Sequence, residues 1–281
     1  MIVDFHTHTT MSDGELGPEA LLQRAYEHGV ELLAITDHDC IDGYIAVRER
    51  VRSLAVDGKV MRLISGVEFS CVWSGILIHI VGLNFDSDDP FLQEVLAQQQ
   101  ISRMDRAKLI GKKLEKYGFI GGFEYAAKLA GESQIGRPHF ARFLVEMGYV
   151  DSIQIAFKKY LGAGKPGDIK HTWPTMASVV KWIKDSGGTA VVAHPLHYKI
   201  TATKLRALLG DFKSAGGEAI EVISGRQAQD KTQYVAQLAE QFDLLASIGS
   251  DFHKPGASWS EIGNSGSLPS RCNPVWSVFG Q

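Results

Sequence analysis

Residues 1–14 read MIVDFHTHTTMSDG. A short apolar run, Ile2 to Phe5, leads into His6 and His8, two residues apart, and Asp13 follows in a Ser-Asp-Gly turn. Side chains alternate along a strand, so two histidines at this spacing leave the same face. An H-x-H pair alone is a weak sign of a metal site, because satisfied histidines occur at strand ends for other reasons. Its meaning depends on what the rest of the chain brings beside it.

Six further apolar runs recur along the chain. With the first they predict seven strands, at Ile2–Phe5, Leu32–Thr36, Leu63–Phe69, Ile76–Leu83, Thr189–Ala193, Ala219–Ile223 and Leu244–Ile248. Near-continuous apolar runs suit strands covered on both faces. Helical periodicity lies between several of them. The stretch from Pro18 to Gly29 opens on proline, repeats apolar residues at Leu21, Leu22, Ala25 and Tyr26, and stops at glycine. Tyr44–Val56, Met176–Ser186, Lys204–Ala215 and Gln227–Phe242 read the same way. Strand alternating with helix predicts an α/β fold with a parallel sheet or barrel. From about Pro90 to Tyr160 only helical patterns appear, which predicts an all-helical subdomain inserted between the fourth and fifth strands. The expected organisation is a barrel from 1–89 and 175–281, with a helical insertion at 90–174.

On this map the polar residues gather at strand ends. AITDHD ends the second strand with Asp37 and His38, and GVEFS carries Glu68 at the end of the third. His79 lies within the fourth, His194 ends the fifth, and Asp251 and His253 follow the seventh. In a parallel barrel the C-terminal strand ends share one face, where active sites form. Burying so many ionisable groups together is costly without cations to balance them. The set therefore predicts a metal centre. Its donors are imidazole and carboxylate with no thiolate, which suits Mn²⁺, Zn²⁺ or Fe²⁺. Nine donors are too many for one ion and enough for two or three, and Glu68 is placed to bridge.

Taken in order, DFHTHTTMSDG, AITDHD, GVEFS, IHIVG, AHP and GSDFH resemble the PHP (polymerase and histidinol phosphatase) family of metal-dependent phosphoesterases. The resemblance implies a distorted (β/α)7 barrel and a centre of two or three divalent ions, most commonly Mn²⁺. It implies that His6, His8, Glu68 and Asp251 hold one ion, that Glu68, His79 and His194 hold a second, and that Asp13, His38 and His253 hold a third. All nine positions are filled here. In such a centre a metal-bound hydroxide attacks phosphorus in line, with no protein nucleophile. His197, after AHPL, is the candidate proton donor to the leaving oxygen, beside the plainer reading of a surface histidine.

Substrate choice is expected from the insertion. In SQIGRPHFARFL, Pro138 suits a first helical turn, so Arg137 and His139 fall at a helix N-terminus that favours an anion. Arg137 can grip phosphate through two N–H groups, and Ser133 offers a hydroxyl. Arg226, after the sixth strand, is a second candidate on the barrel face; Lys165 and Lys170 are weaker ones. Phe123, Tyr125 and Phe140 read first as core and second as platforms for a base. The insertion resembles that of a bacterial subgroup containing nucleoside 3′,5′-bisphosphate phosphatases and 5′-3′ oligoribonucleases. This implies a cationic pocket for the 5′-phosphate, hydrolysis on the 3′ side and release of a 5′-mononucleotide. The alternatives are histidinol-phosphate phosphatase, which needs no second phosphate pocket, and a non-catalytic PHP accessory module.

Composition narrows the partners. The formal charge of −3 offers no broad cationic surface for long duplex nucleic acid, and fits a small nucleotide or short single-stranded RNA. No apolar run approaches the ~20 residues of a membrane span, and no signal-peptide pattern opens the chain. Cys40, Cys71 and Cys272 show no paired spacing, as expected in a reducing cytoplasm.

Overall fold

The computed structural model describes residues 1–51, 61–131, 133–169 and 173–280. The part of the expected Tyr44–Val56 helix beyond Val51, and the candidate Lys170, lie outside them. The chain divides into two compact units, Met1–Val95 with Pro174–Gln281, and Leu96–Trp173.

The first unit is α/β. Its strands are β1 (Val3–Asp4), β2 (Leu32–Ala34), β3 (Arg62–Ile64), β4 (Gly66–Trp73), β5 (Ile76–Leu83), β6 (Thr189–Val192), β7 (Ala219–Ser224) and β8 (Leu245–Gly249). The expected single strand Leu63–Phe69 is two strands. β3 pairs parallel with β2, whereas β4 pairs with β5, and the change of partner falls at Ser65. Its hydroxyl donates to the Phe85 carbonyl at 2.7 Å.

The strands form a three-stranded sheet, β1-β2-β3, and a five-stranded sheet, β4-β5-β6-β7-β8. They also meet outside the regular ladders. Phe5 N donates to Ile248 O at 2.9 Å, and parallel bridges join Thr7 to Phe252 and His38 to Glu68. The sheet is not wholly parallel, because β5 runs antiparallel to both β4 and β6. The short Ser74-Gly75 connection explains this: two residues can close a hairpin but cannot carry a crossover. His79 therefore enters from a strand of opposite direction.

Apolar side chains from both sheets share one core. Val3, Phe5, Ala34, Ile64, Val81, Leu83, Val191 and Ala219 pack together with Val275 and Phe279 near the chain's end. This core lies toward one end of the strands and leaves the other end to polar residues.

Helices follow from local signals. In α1 (Pro18–Glu27), proline opens the first turn, and Leu21, Leu22 and Ala25 are the buried stripe. Together with Val47 of α2 (Asp42–Val51), they cover Leu33 and Ile35.

The helix α3 (Pro90–Glu115) runs past Val95. The second unit also contains α4 (Gly122–Ala130), α5 (Arg137–Glu146) and α6 (Ile153–Ala156), the last continuing into a π-helical turn at Phe157–Leu161. It has its own core, in which Ile110, Leu114, Phe140, Phe143 and Leu144 are almost fully buried.

The remaining helices return to the first unit. They are α7 (Met176–Asp185), α8 (Ala202–Ser214) and α9 (Gln229–Gln241). Thr175 and Thr201 cap α7 and α8 by accepting from Ser178 N and Lys204 N.

Candidate metal centre

Strand alternation aims the first two histidines. His6 and His8 are buried, while Thr7 between them turns away and donates its hydroxyl to Ala34 O at 2.8 Å. Glu68, on β4, is 0% exposed, which makes its charge the central problem of the site. His79 lies one β-ladder away, opposite Ser70. His194 and Asp251, just past β6 and β8, adopt positive φ angles of 27° and 55°. Such angles are uncommon outside glycine and cost energy, so the surrounding structure must hold them. Gly249 makes room beside them: a Cβ there would lie 2.2 Å from the His6 Cβ.

Three groups of donor atoms adjoin one another, two of them built on Glu68. His6 Nε2 is 3.3 Å from Glu68 Oε1 and 3.6 Å from Asp251 Oδ1. His8 Nε2 is 3.3 Å from Glu68 Oε2 and 3.4 Å from the same Asp251 oxygen. On the other side, Glu68 Oε1 is 2.8 Å from His79 Nδ1 and 3.0 Å from His194 Nε2. The third group surrounds Asp13 Oδ1, with His253 Nε2 at 3.3 Å, His38 Nε2 at 3.8 Å and His8 Nδ1 at 4.0 Å. The groups overlap more than the sequence suggested. His8 belongs geometrically to the first and third, and His38 Nδ1 stands 2.8 Å from Glu68 Oε2.

The donor set fits cations. Ligands at about 2.1 Å from one ion lie roughly 3.0–3.5 Å apart, near the spacings around Asp251 and Glu68. Both ring nitrogens of His8, His6 Nε2, His194 Nδ1, Asp13 Oδ1 and Glu68 Oε2 are buried with no hydrogen-bond partner among the described residues. Buried polar atoms are nearly always satisfied, so a convergent cluster of orphans calls for an absent partner. Electrostatics agree. Burial works to raise the pKa values of Glu68 and Asp251, but the facing imidazoles outweigh it and hold both carboxyls well below their ordinary range. Burial and the charge of His253 push His8 down to about 3, which favours the neutral ring, with a lone pair on one of its two nitrogens.

Three carboxylates stand behind the donors, and two of them, Glu221 and Asp4, escaped the sequence reading. Glu221, on β7, faces His6 Nδ1 at 3.2 Å and accepts from His194 N at 2.5 Å. It thereby orients the His6 imidazole, as carboxylates behind metal-bound histidines do, and holds the His194 backbone. Its signal was a lone acid inside the apolar run AIEVIS. Asp37 takes Thr9 N, Thr9 Oγ1 and Ser12 Oγ at 2.6–2.7 Å, and so belongs to the turn that carries Asp13. Asp4 accepts from Ser250 N and Gly263 N, pinning the loop before Asp251.

The helical unit is described by itself. Arg137 opens α5, is half-buried and donates to Leu161 O at 3.2 Å; burial, its main influence, lowers its pKa. His139 Nδ1 accepts from Gly136 N at 3.0 Å, so this nitrogen closes the helix cap. Ser133 donates to Ala130 O at 2.6 Å, within its own turn. Phe140 is 0% exposed and is core, and Phe123 and Tyr125 pack against that core. Two further arginines were hidden in the long helix. Arg103 and Arg106 are buried against Trp173, their guanidinium carbons 5.3 and 5.2 Å from its ring centre.

In the first unit, Arg226 follows β7 and lines a cavity of about 390 Å³ that reaches His197, Asp251 and His253. The His197 ring stacks on His194 with centres 5.2 Å apart. Burial and His194 push its pKa down, which works against the proton-donor role expected of it.

This architecture and donor set are those of the PHP domain, whose family model matches residues 4–166, and the chain belongs to that family. It is 44% identical to the 5′-3′ exoribonuclease Rnm of Escherichia coli over 281 residues, covering 100% of this chain and 94% of that protein. It is 39% identical to the 3′,5′-nucleoside bisphosphate phosphatase of Chromobacterium violaceum, covering 98% of this chain and 95% of that protein. A solved structure from Chromobacterium violaceum, described as an amidohydrolase with bound sulfate and no metal, superposes with a TM-score of 0.88. It shares 38% identity, over 99% of this chain and 96% of that one. No described helix is long and apolar enough to cross a membrane.

Proposed function

We propose that this chain is a metal-dependent phosphoesterase that hydrolyses the 3′-phosphate of nucleoside 3′,5′-bisphosphates and the first linkage of short 5′-phosphorylated RNA, releasing 5′-mononucleotides. The observation that carries this reading is the gathering of imidazole and carboxylate donors around Glu68 and Asp13, with several of their buried atoms left without a hydrogen-bond partner among the described residues. The two relatives named above act on substrates of this kind and match the chain nearly end to end.

In this reading the two sheets, joined where β1 meets β8 and where His38 meets Glu68, are one distorted barrel, and the helical unit is its insertion. His6, His8, Glu68 and Asp251 hold one divalent ion, Glu68, His79 and His194 a second, and Asp13, His38 and His253 a third. Mn²⁺ is the ion we favour for this nitrogen and oxygen donor set, with Zn²⁺ and Fe²⁺ as competitors. Bound ions would acidify water and neutralise charge on the phosphoryl oxygens. The chain's own part is positional. Glu221 keeps the His6 Nδ1 proton on its own side, leaving Nε2 to face Glu68 and Asp251. Arg137 and the buried Arg103 and Arg106 supply positive charge for the 5′-phosphate. Arg226 serves the phosphate undergoing hydrolysis.

The test is a phosphate-release assay with Mn²⁺ on adenosine 3′,5′-bisphosphate, adenosine 3′-monophosphate and histidinol phosphate, with metal analysis of the purified protein. Preferential turnover of the bisphosphate is expected. Equal turnover of the two adenosine substrates removes the two-phosphate model. Preference for histidinol phosphate selects the sister activity, and a metal-replete protein inactive on every ester revives the accessory-module alternative.

A further inference from the structure

Beside the donor cluster, the first unit holds a cavity of about 390 Å³ between the start of α9 and the loop after Asp251. That volume lies in the range of small-ligand sites. It shares His197, Asp251 and His253 with the cluster's edge, so a molecule in it would be continuous with one bound at the cluster. The walls are cationic. Arg226, Lys231 and Lys254 line it; Lys254 lies 4.0 Å from Glu15, and no ion pair joins Arg226 or Lys231 to a described residue. Ser224 Oγ, also on the lining, is buried without a hydrogen-bond partner among the described residues. The α9 N-terminus opens at Ala228 with no side-chain cap, leaving its first-turn amides to the same space. Trp259 lines the cavity too and is 67% exposed, which is unusual for so large an apolar ring.

The two walls are built together. Arg226 N donates to Trp259 O at 2.6 Å. Gly225, at φ 58°, permits the approach, since a Cβ there would lie 2.4 Å from the same carbonyl oxygen. The fold thus fixes a cation and an aromatic ring on the lining of one cavity.

A nucleoside 3′,5′-bisphosphate has nothing beyond its scissile phosphate and would leave this cavity unused. An oligonucleotide would not. When water attacks the first linkage, its oxygen forms the new P–O bond and the bond to the 3′-oxygen of nucleotide one breaks. One of the water's protons ends on that 3′-oxygen, and the phosphate stays with nucleotide two. Resting on the phosphoesterase reading above, we propose that this cavity seats nucleotide two. Trp259 lies against its base, and Lys231 and the α9 N-terminus receive its next phosphate. Stacking accepts any base, so the subsite reads length and not sequence.

The test compares adenosine 3′,5′-bisphosphate with 5′-phosphorylated triadenylate, in Mn²⁺, for the wild type, Trp259→Ala and Lys231→Ala. Trp259→Ala should lower kcat/KM for the trinucleotide about tenfold relative to the bisphosphate, the worth of one stacked base. Lys231→Ala should flatten the salt dependence of the trinucleotide KM by about one phosphate contact. Equal effects on both substrates, no effect on either, or a wild type that takes only the bisphosphate would overturn the subsite and leave the phosphoesterase reading intact. A wild type that turns over neither substrate would overturn that reading instead.

Discussion

The donor cluster and the helical core bury their side chains on opposite terms. Around Glu68, six imidazoles crowd together, with His8 and His253 stacked at 4.2 Å between ring centres, and several buried nitrogens satisfy nothing. In the helical unit, aromatic rings crowd as closely, with Phe119 and Tyr160 edge-to-face at 4.8 Å, but each contact is itself favourable. Apolar packing needs nothing added to it. A buried group of titratable side chains is costly until something compensates its charge and its unmade bonds. The first region therefore needs ligand and the second does not, so metal and packing variants should affect the two separately.

Glu68→Gln strikes the first region hardest. It removes the charge shared by the first two groups, and kcat should fall about 10²–10³-fold with loss of bound metal, while far-ultraviolet circular dichroism stays unchanged. Full activity in this variant would dissolve the bridging role. Phe140→Ala is the opposite probe: a fully buried ring in the helical core should cost about 3–5 kcal/mol in urea unfolding, with metal content per folded protein unchanged. If metal content dropped with it, the two regions would not be separable.

Glu221→Gln keeps the shape of the group behind His6 and His194 but loses its charge. Metal affinity should weaken about 10–100-fold in competition with a chelator, without loss of fold. Arg137→Ala should raise KM for a 3′,5′-bisphosphate about tenfold and leave an aryl phosphate nearly untouched, as loss of one charge-assisted phosphate contact would do. The same rise for both substrates would take Arg137 out of substrate reading.

The smallest effect is a surface control. Arg24 grips Glu261 with two bonds of 2.8 and 2.7 Å, and this partner, the main influence, lowers the Glu261 pKa. A depressed folded-state pKa stabilises the protein above the unfolded value and loses that contribution as pH falls through the folded one. Wild type should exceed Glu261→Gln by about 0.2–1 kcal/mol at pH 7, and the gap should close below about pH 4. A constant gap in melting temperature across pH 3–7 would show that the ion pair contributes nothing.

The two regions also differ in how much of them could be read along the chain. The α/β class and the strand positions were visible because apolar runs must be covered wherever they fall. The predicted Ile76–Leu83 is β5 to the residue. The split at Ser65 and the reversal of β5 were not visible, because an apolar run carries no direction and no partner. His6, Glu68 and Asp251 stood out because charged and imidazole side chains at the ends of apolar runs have few ordinary reasons to be there. Arg103 and Arg106 did not, since arginines on a long amphipathic helix look like its solvent face.

Residue types and their order established the family, the class of chemistry and the donor chemistry that suits a hard or borderline cation. Those are properties of side chains, and side chains are written in the chain. Tertiary structure alone decided the rest. It put His8 between two donor groups, gave His139 to a helix cap, set Glu221 between the His6 ring and the His194 backbone, and brought Trp259 and Arg226 to the lining of one cavity. Each of these is a distance between residues far apart in the chain, and such distances exist only once the backbone has closed on itself.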